Sequence, residues 1–135
     1  MKRLSFVPLV LAVSLMTTIA IAAVERKAGT FQELAASGVS GKVDLMKAPQ
    51  SLDATSVHCQ ARNLEPGTQY VVIWSKDAAC APGSETNVVT RFTANPQGIA
   101  SFQGKVQTPL IDINSIAILR ASDLTGQACA SVIAQ

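Results

Sequence analysis

A chain of 135 residues, 48% apolar and 4% aromatic, is sized for one domain with one core. Its formal charge of +2 comes from eleven Lys and Arg against nine Asp and Glu, and Lys2 and Arg3 alone account for the excess. Nothing in this composition predicts the clustered basic face that a nucleic-acid partner needs, and no such partner is expected.

In chain order, Lys2 and Arg3 precede an apolar run from Phe6 to Met16, and Ala20 and Ala22 stand at the −3 and −1 positions of a cleavage site. Residues 1–22 are expected to be a secretory signal peptide, cut after Ala22 or one residue later. The competing reading, an uncleaved anchor, is disfavoured by Pro8, Ser14, Thr17 and Thr18 within the segment. No cysteine follows the apolar run to make a lipoprotein. A periplasmic or secreted domain with no membrane span after cleavage is the expectation. Such a compartment is oxidising, so Cys59, Cys80 and Cys129 should give one disulfide and one leftover thiol. Three pairings satisfy that count.

Residues 23–38 are expected to form an N-terminal extension, in which "TFQELAAS" makes a helical turn or two, and residues 39–135 the domain. Seven short runs then alternate or carry β-branched and aromatic residues: "GKVDLM", "TSVHCQAR", "QYVVIWS", "NVVTRFTA", "IASFQGKV", "INSIAILRA" and "ACASVIA". Turn chemistry separates them. Pro66-Gly67 suits a tight turn, "NPQG" reads as a hairpin link, and "DLTGQ" as a turn using Gly126. The fold class predicted is all-β, a compact antiparallel Greek-key sandwich or flattened barrel of about seven strands.

Candidate chemistry is sparse. His58 is the sole histidine and precedes Cys59, but neighbouring side chains of a strand point to opposite faces. Alternation places Val57, Cys59 and Ala61 inward, so a shared metal or a Cys–His nucleophile pair is not expected there. His58 remains a candidate surface contact or weak metal contact. Tyr70, Val72 and Trp74 share one strand face, either a core anchor or, if open, an aromatic contact patch. The one long link, residues 75–86, offers Lys76, Asp77 and Glu85 as candidate binding residues, with Cys80 and Pro82 as anchors. No nucleophile-elbow, zinc-protease, phosphate-loop or CxxC motif occurs.

Three segments together resemble the copper/zinc superoxide dismutase family. "ARNLEPGTQYVVIW" is similar to a strand–turn–strand leading into that family's central strand, "RFTANPQGIASFQGKV" to its later hairpin, and "GQACASVIAQ" to its C-terminal strand. The resemblance spans about residues 39–135 and extends to smaller metal-free sandwiches related to that fold, which are the closer comparison. It implies a disulfide between Cys80 in the long link and Cys129 in the last strand, leaving Cys59 as the free thiol. A closed loop of that size stabilises by about 4 kcal/mol in the chain-entropy model. The same resemblance implies that the metal equipment is missing: positions of the copper histidines carry Val, Ile and Trp of "YVVIWS", and the family's arginine falls on Gly126. Superoxide dismutation needs a redox metal, so a degenerate, metal-free member is expected, with no cofactor and no catalytic residue. The functional expectation is a non-catalytic exported module that binds a protein, a surface component or a small ligand. The alternative is a metal-handling or redox-defence envelope protein using His58.

Overall fold

Period-two alternation decides the architecture. In β3 (Thr55–Arg62), Thr55, Val57, Cys59 and Ala61 are buried while His58, Gln60 and Arg62 are exposed. A strand so divided must pack one face and wet the other. The computed structural model describes residues 25–48, 53–80 and 87–135; the expected leader (1–22), Pro82 and Glu85 lie outside the described residues. The other strands are β1 (Arg26–Glu33), β2 (Ser40–Lys47), β4 (Gln69–Ser75), β5 (Val88–Thr93), β6 (Ala100–Val106), β7 (Ser115–Arg120), β8 (Gly126–Ser131) and β9 (Ile133–Ala134). A 3-10 turn, Leu110–Asp112, precedes β7.

The all-β expectation holds: the strands pair antiparallel in the order β5-β4-β7-β8-β1-β2-β3-β6, and β9 adds to β1. β1 belongs to both layers, pairing with β2 along most of its length, with β9 at Lys27 and Ala28, and with β8 through Gln32 and Glu33. β3 lies beside β6, while β4 and β5, which come between them in the chain, pair with each other in the opposite layer. That is a Greek-key connection. One core fills the space between layers, with Val43, Leu45, Val57, Cys59 and Phe102 from one side against Tyr70, Val72, Ile116, Ile118, Ala128 and Ala130 from the other. β4 is buried on both faces, which explains its near-continuous apolar run. Its outer face, Val71 and Ile73, joins Ala117, Cys80, Val88 and Leu119 in a second apolar cluster.

Three local expectations are corrected. Residues 26–33 are a strand of the barrel, not an extension with a helical turn. The inward row of β1 is Lys27, Gly29 and Phe31, and a lysine and a glycine there erase the alternation that marks the other strands. Lys27 is buried with its ammonium donating to the Ile113 carbonyl at 2.7 Å and to Asn114 Oδ1 at 3.2 Å. Second, residues 95–98 make the tight turn expected, with Gly98 N–H donating to the Asn95 carbonyl at 2.9 Å, but the turn closes no hairpin ladder, because β5 pairs with β4 and β6 with β3. The link crosses between layers and is laced to the β3–β4 link: Leu64 N–H donates to the Gly98 carbonyl and Gly67 N–H to the Ala94 carbonyl, each at 3.0 Å. Third, Gly126 starts β8, and the left-handed residue of the β7–β8 turn is Leu124, with φ 58°. Pro66-Gly67 behaves as its chemistry dictates, with Gly67 at φ 74° and Thr68 N–H donating to the Glu65 carbonyl.

Candidate functional site

The His58–Cys59 pair is split across β3. His58 is exposed, with Asp44 of β2 and Gln103 of β6 as its cross-strand neighbours. The Asp44 carboxylate is occupied by Arg26, whose Nη2 donates to it at 2.7 Å. Cys59 points inward, 2% exposed, and is free. Burial pushes its thiol well above the ordinary range, and the Asp44 charge adds to the effect. A thiol so buried and held protonated is a poor nucleophile at neutral pH. Among the described residues no three His, Cys, Asp or Glu side chains come close enough together to hold a metal.

The described part of the long link is strapped down. Successive carbonyls of Lys76, Asp77 and Ala78 accept hydrogen bonds from Asn114 Nδ2, Ser115 Oγ and Ser131 Oγ. The disulfide Cys80–Cys129 closes the strap over the outer face of β4 and β7, onto Val71, Ile73 and Ala117. Lys76 and Asp77 stay exposed on it, while Glu85 falls outside the described residues. Tyr70 and Trp74 form no open aromatic patch. Their row faces the core, opposite Arg120 and Ile116 of β7; Tyr70 is 1% exposed and stacks on Phe92, and Trp74 is half-buried against the same core.

What the structure does bring together lies at the Tyr70 end of β4. Three connections meet there: the β1–β2 turn around Ala35 and Ser37, the β3–β4 link at Asn63, Leu64 and Glu65, and the β7–β8 turn at Thr125. Between them is an open hollow of about 470 Å³. Val39, Leu64 and Tyr70, all buried, form its floor. In β7 the inward row runs Ile116, Ile118, Arg120, so alternation carries Arg120 onto the core-facing side where the barrel opens. Its Nη2 pairs with Glu65 Oε2 at 3.1 Å. The Tyr70 hydroxyl accepts a hydrogen bond from the Glu65 N–H at 2.9 Å. Beside Arg120, the Asp123 carboxyl is held below its usual range by hydrogen bonds from the Thr125 side chain and N–H, with the Arg120 charge contributing.

The rim is strained and pre-arranged. Among the described residues, five non-glycine residues have positive φ; four of them, Ala35 (52°), Ala36 (55°), Asn63 (60°) and Leu124 (58°), lie in these three connections. Each costs roughly 1–2 kcal/mol relative to right-handed backbone, and such conformations persist where surrounding contacts impose them. Those contacts are present: Ser37 Oγ donates to the Gln127 carbonyl at 2.6 Å, Asn63 Nδ2 to the Gly38 carbonyl at 3.1 Å, and Gly38 N–H to Glu33 Oε2 at 2.7 Å. The sequence candidates missed this hollow except for Tyr70. One signal was present in "SIAILRA", where an arginine falls on the face shared by two buried isoleucines. The chain matches no protein-family model and no curated protein.

Proposed function

We propose that this chain is an exported, non-catalytic binding module whose ligand seat is the hollow at the Tyr70 end of the barrel. One observation carries the reading: strained connections hold an inward-facing Arg120 and a buried Tyr70 hydroxyl around an apolar floor. A concave apolar site with a few convergent polar groups is the usual form of a small-molecule site, and a rim fixed in advance loses little entropy on binding. The non-catalytic part is supported by His58 and Cys59 lying on opposite faces of β3. In this reading the resemblance to the copper/zinc superoxide dismutase sandwiches is one of fold. Val71 and Ile73, in the strand where that resemblance would place imidazoles, are buried beneath the disulfide strap.

The test is amide NMR of the mature chain titrated with a library of small polar molecules. Shifts confined to residues 35–39, 63–65 and 120–127 are expected for the ligands that bind. Shifts confined to residues 75–80 or to the His58 face would overturn the proposed seat.

A further inference from the structure

We infer that the seat takes a small carboxylic acid with a compact apolar body, whose carboxylate replaces that of Glu65 on Arg120. This rests on the proposed ligand seat and names the chemistry it selects.

A guanidinium presents five N–H donors in a planar fork that matches a carboxylate. Arg120 uses Nη2 for Glu65, and the pair is partly exposed, with side chains 36% and 58% accessible. An ion pair of that exposure is weak and easily exchanged. Glu65 thus acts as a tethered stand-in for a ligand's carboxylate. Its backbone is the fixed part, held through the Tyr70 hydroxyl, whereas its side chain can turn out to solvent.

Tyr70 supplies the second donor. A phenol both accepts and donates; here its oxygen accepts from Glu65 N–H, and among the described residues its own proton has no acceptor. The residue is 1% exposed and lines the hollow. Arg120 and Tyr70 are direct cross-strand partners on the same face, so both donors bear on one small volume. A ligand carboxylate placed there satisfies both, and two charge-assisted hydrogen bonds outweigh the partly exposed ion pair surrendered by Glu65. Beneath them Val39, Leu64 and the Tyr70 ring offer only apolar contact, which selects a hydrocarbon body behind the carboxylate. Asp123, the other acid beside Arg120, is engaged by Thr125. As Glu65 leaves, the guanidinium fork of Arg120 is freed, and its geometry favours a carboxylate over a neutral ligand.

The experiment is amide NMR of the mature disulfide-bonded protein at pH 7 and constant ionic strength, with benzoate and benzamide as paired probes. Benzoate is expected to shift residues 35–39, 63–65 and 120–127 in a saturable manner, and benzamide to bind at least tenfold more weakly. Glu65→Gln should tighten benzoate about fivefold by removing the competitor. Arg120→Lys, which keeps the charge but not the fork, should weaken it about tenfold, and Tyr70→Phe severalfold. Equal binding of benzamide and benzoate at these residues would overturn the carboxylate while leaving the seat in place. Benzoate shifts that map elsewhere, or a Glu65→Gln variant that binds no more tightly, would overturn the inference. Should Arg120→Lys fail to fold, the Glu65→Gln comparison still decides, because Glu65 is on the surface.

Discussion

At the scale of single residues, strand alternation separates two side chains that adjacency in sequence suggests should cooperate. His58 faces water and Cys59 faces Val43 and Phe102, its cross-strand partners. The consequence for Cys59 is a pH dependence whose sign can be stated. Burial raises the thiol's folded pKa, so above the ordinary thiol value of about 8.5 the unfolded chain loses a proton that the folded chain keeps. The native state then binds more protons than the unfolded one, and its stability falls by up to about 1.4 kcal/mol per pH unit in that alkaline range. Below pH 8 the group contributes no slope. Urea unfolding of wild type and Cys59→Ala between pH 7 and 10 tests this. The variant should lose about 1 kcal/mol at pH 7 through packing and show a flatter alkaline decline; parallel curves would contradict the account. His58→Ala, by contrast, should change stability by less than about 0.5 kcal/mol, as for an exposed residue outside any buried network.

At the scale of elements, legibility followed the clarity of the inward row. The seven alternating or apolar runs all fall on strands, because Val, Ile, Cys and Ala facing the core leave a period of two. β1 stayed hidden because its inward positions are Lys27, Gly29 and Phe31, two of which carry no apolar signal. Each has a tertiary reason that sequence does not display. Lys27 satisfies the Ile113 carbonyl, and Gly29 lies where a Cβ would sit 2.3 Å from the Ser131 carbonyl oxygen, at the place where the β8–β9 segment crosses β1. Gly29→Val should therefore cost about 2–4 kcal/mol in urea unfolding, since backbone rather than a flexible side chain must move.

The turn after β1 departs from expectation for a different reason. Alanine is the best helix former, so "ELAAS" suggests helix, yet Ala35 and Ala36 are both left-handed and Ser37 N–H donates back to the Leu34 carbonyl at 3.1 Å. A two-residue turn with both central φ positive normally carries Asn-Gly. Replacing Ala35 with Asn and Ala36 with Gly should raise stability by about 1 kcal/mol or more; a decrease measured by urea unfolding would contradict a left-handed turn at these two residues. The candidate site was poorly legible for the same reason, since Ala35, Ala36 and Leu124 give no turn signal. Of its lining, only Tyr70 is among the sequence candidates, and Arg120, a charge in an isoleucine row, is the signal that alternation along β7 alone would reveal.

At the scale of the whole molecule, the disulfide and the three strap hydrogen bonds act on one structural problem. β4 has two apolar faces, and only the inner one is covered by the opposing layer. The outer one, Val71 and Ile73 with Ala117 and Leu119, is left to the link that follows β4, and Cys80–Cys129 holds that link in place over a sequence separation of 49. In the chain-entropy model a loop of that length stabilises by about 4 kcal/mol, a large part of the roughly 5–15 kcal/mol typical of a domain. The main core does not depend on the strap, because Tyr70, Val72, Ile116 and Ile118 pack against the other layer. The reduced protein is therefore expected to keep its strand content at 25 °C while melting on the order of 15 °C lower. It should also bind a dye for exposed apolar surface, as the cluster on the outer face of β4 is uncovered. Circular dichroism melts and dye fluorescence of oxidised protein, reduced protein and the Cys80→Ala/Cys129→Ala variant measure this, the variant separating loss of the bond from any effect of the reductant. Equal melting temperatures in all three would mean that the hydrogen bonds of Asn114, Ser115 and Ser131 suffice to hold the strap. Loss of all strand signal on reduction would mean that the outer cluster is needed for the barrel itself to form.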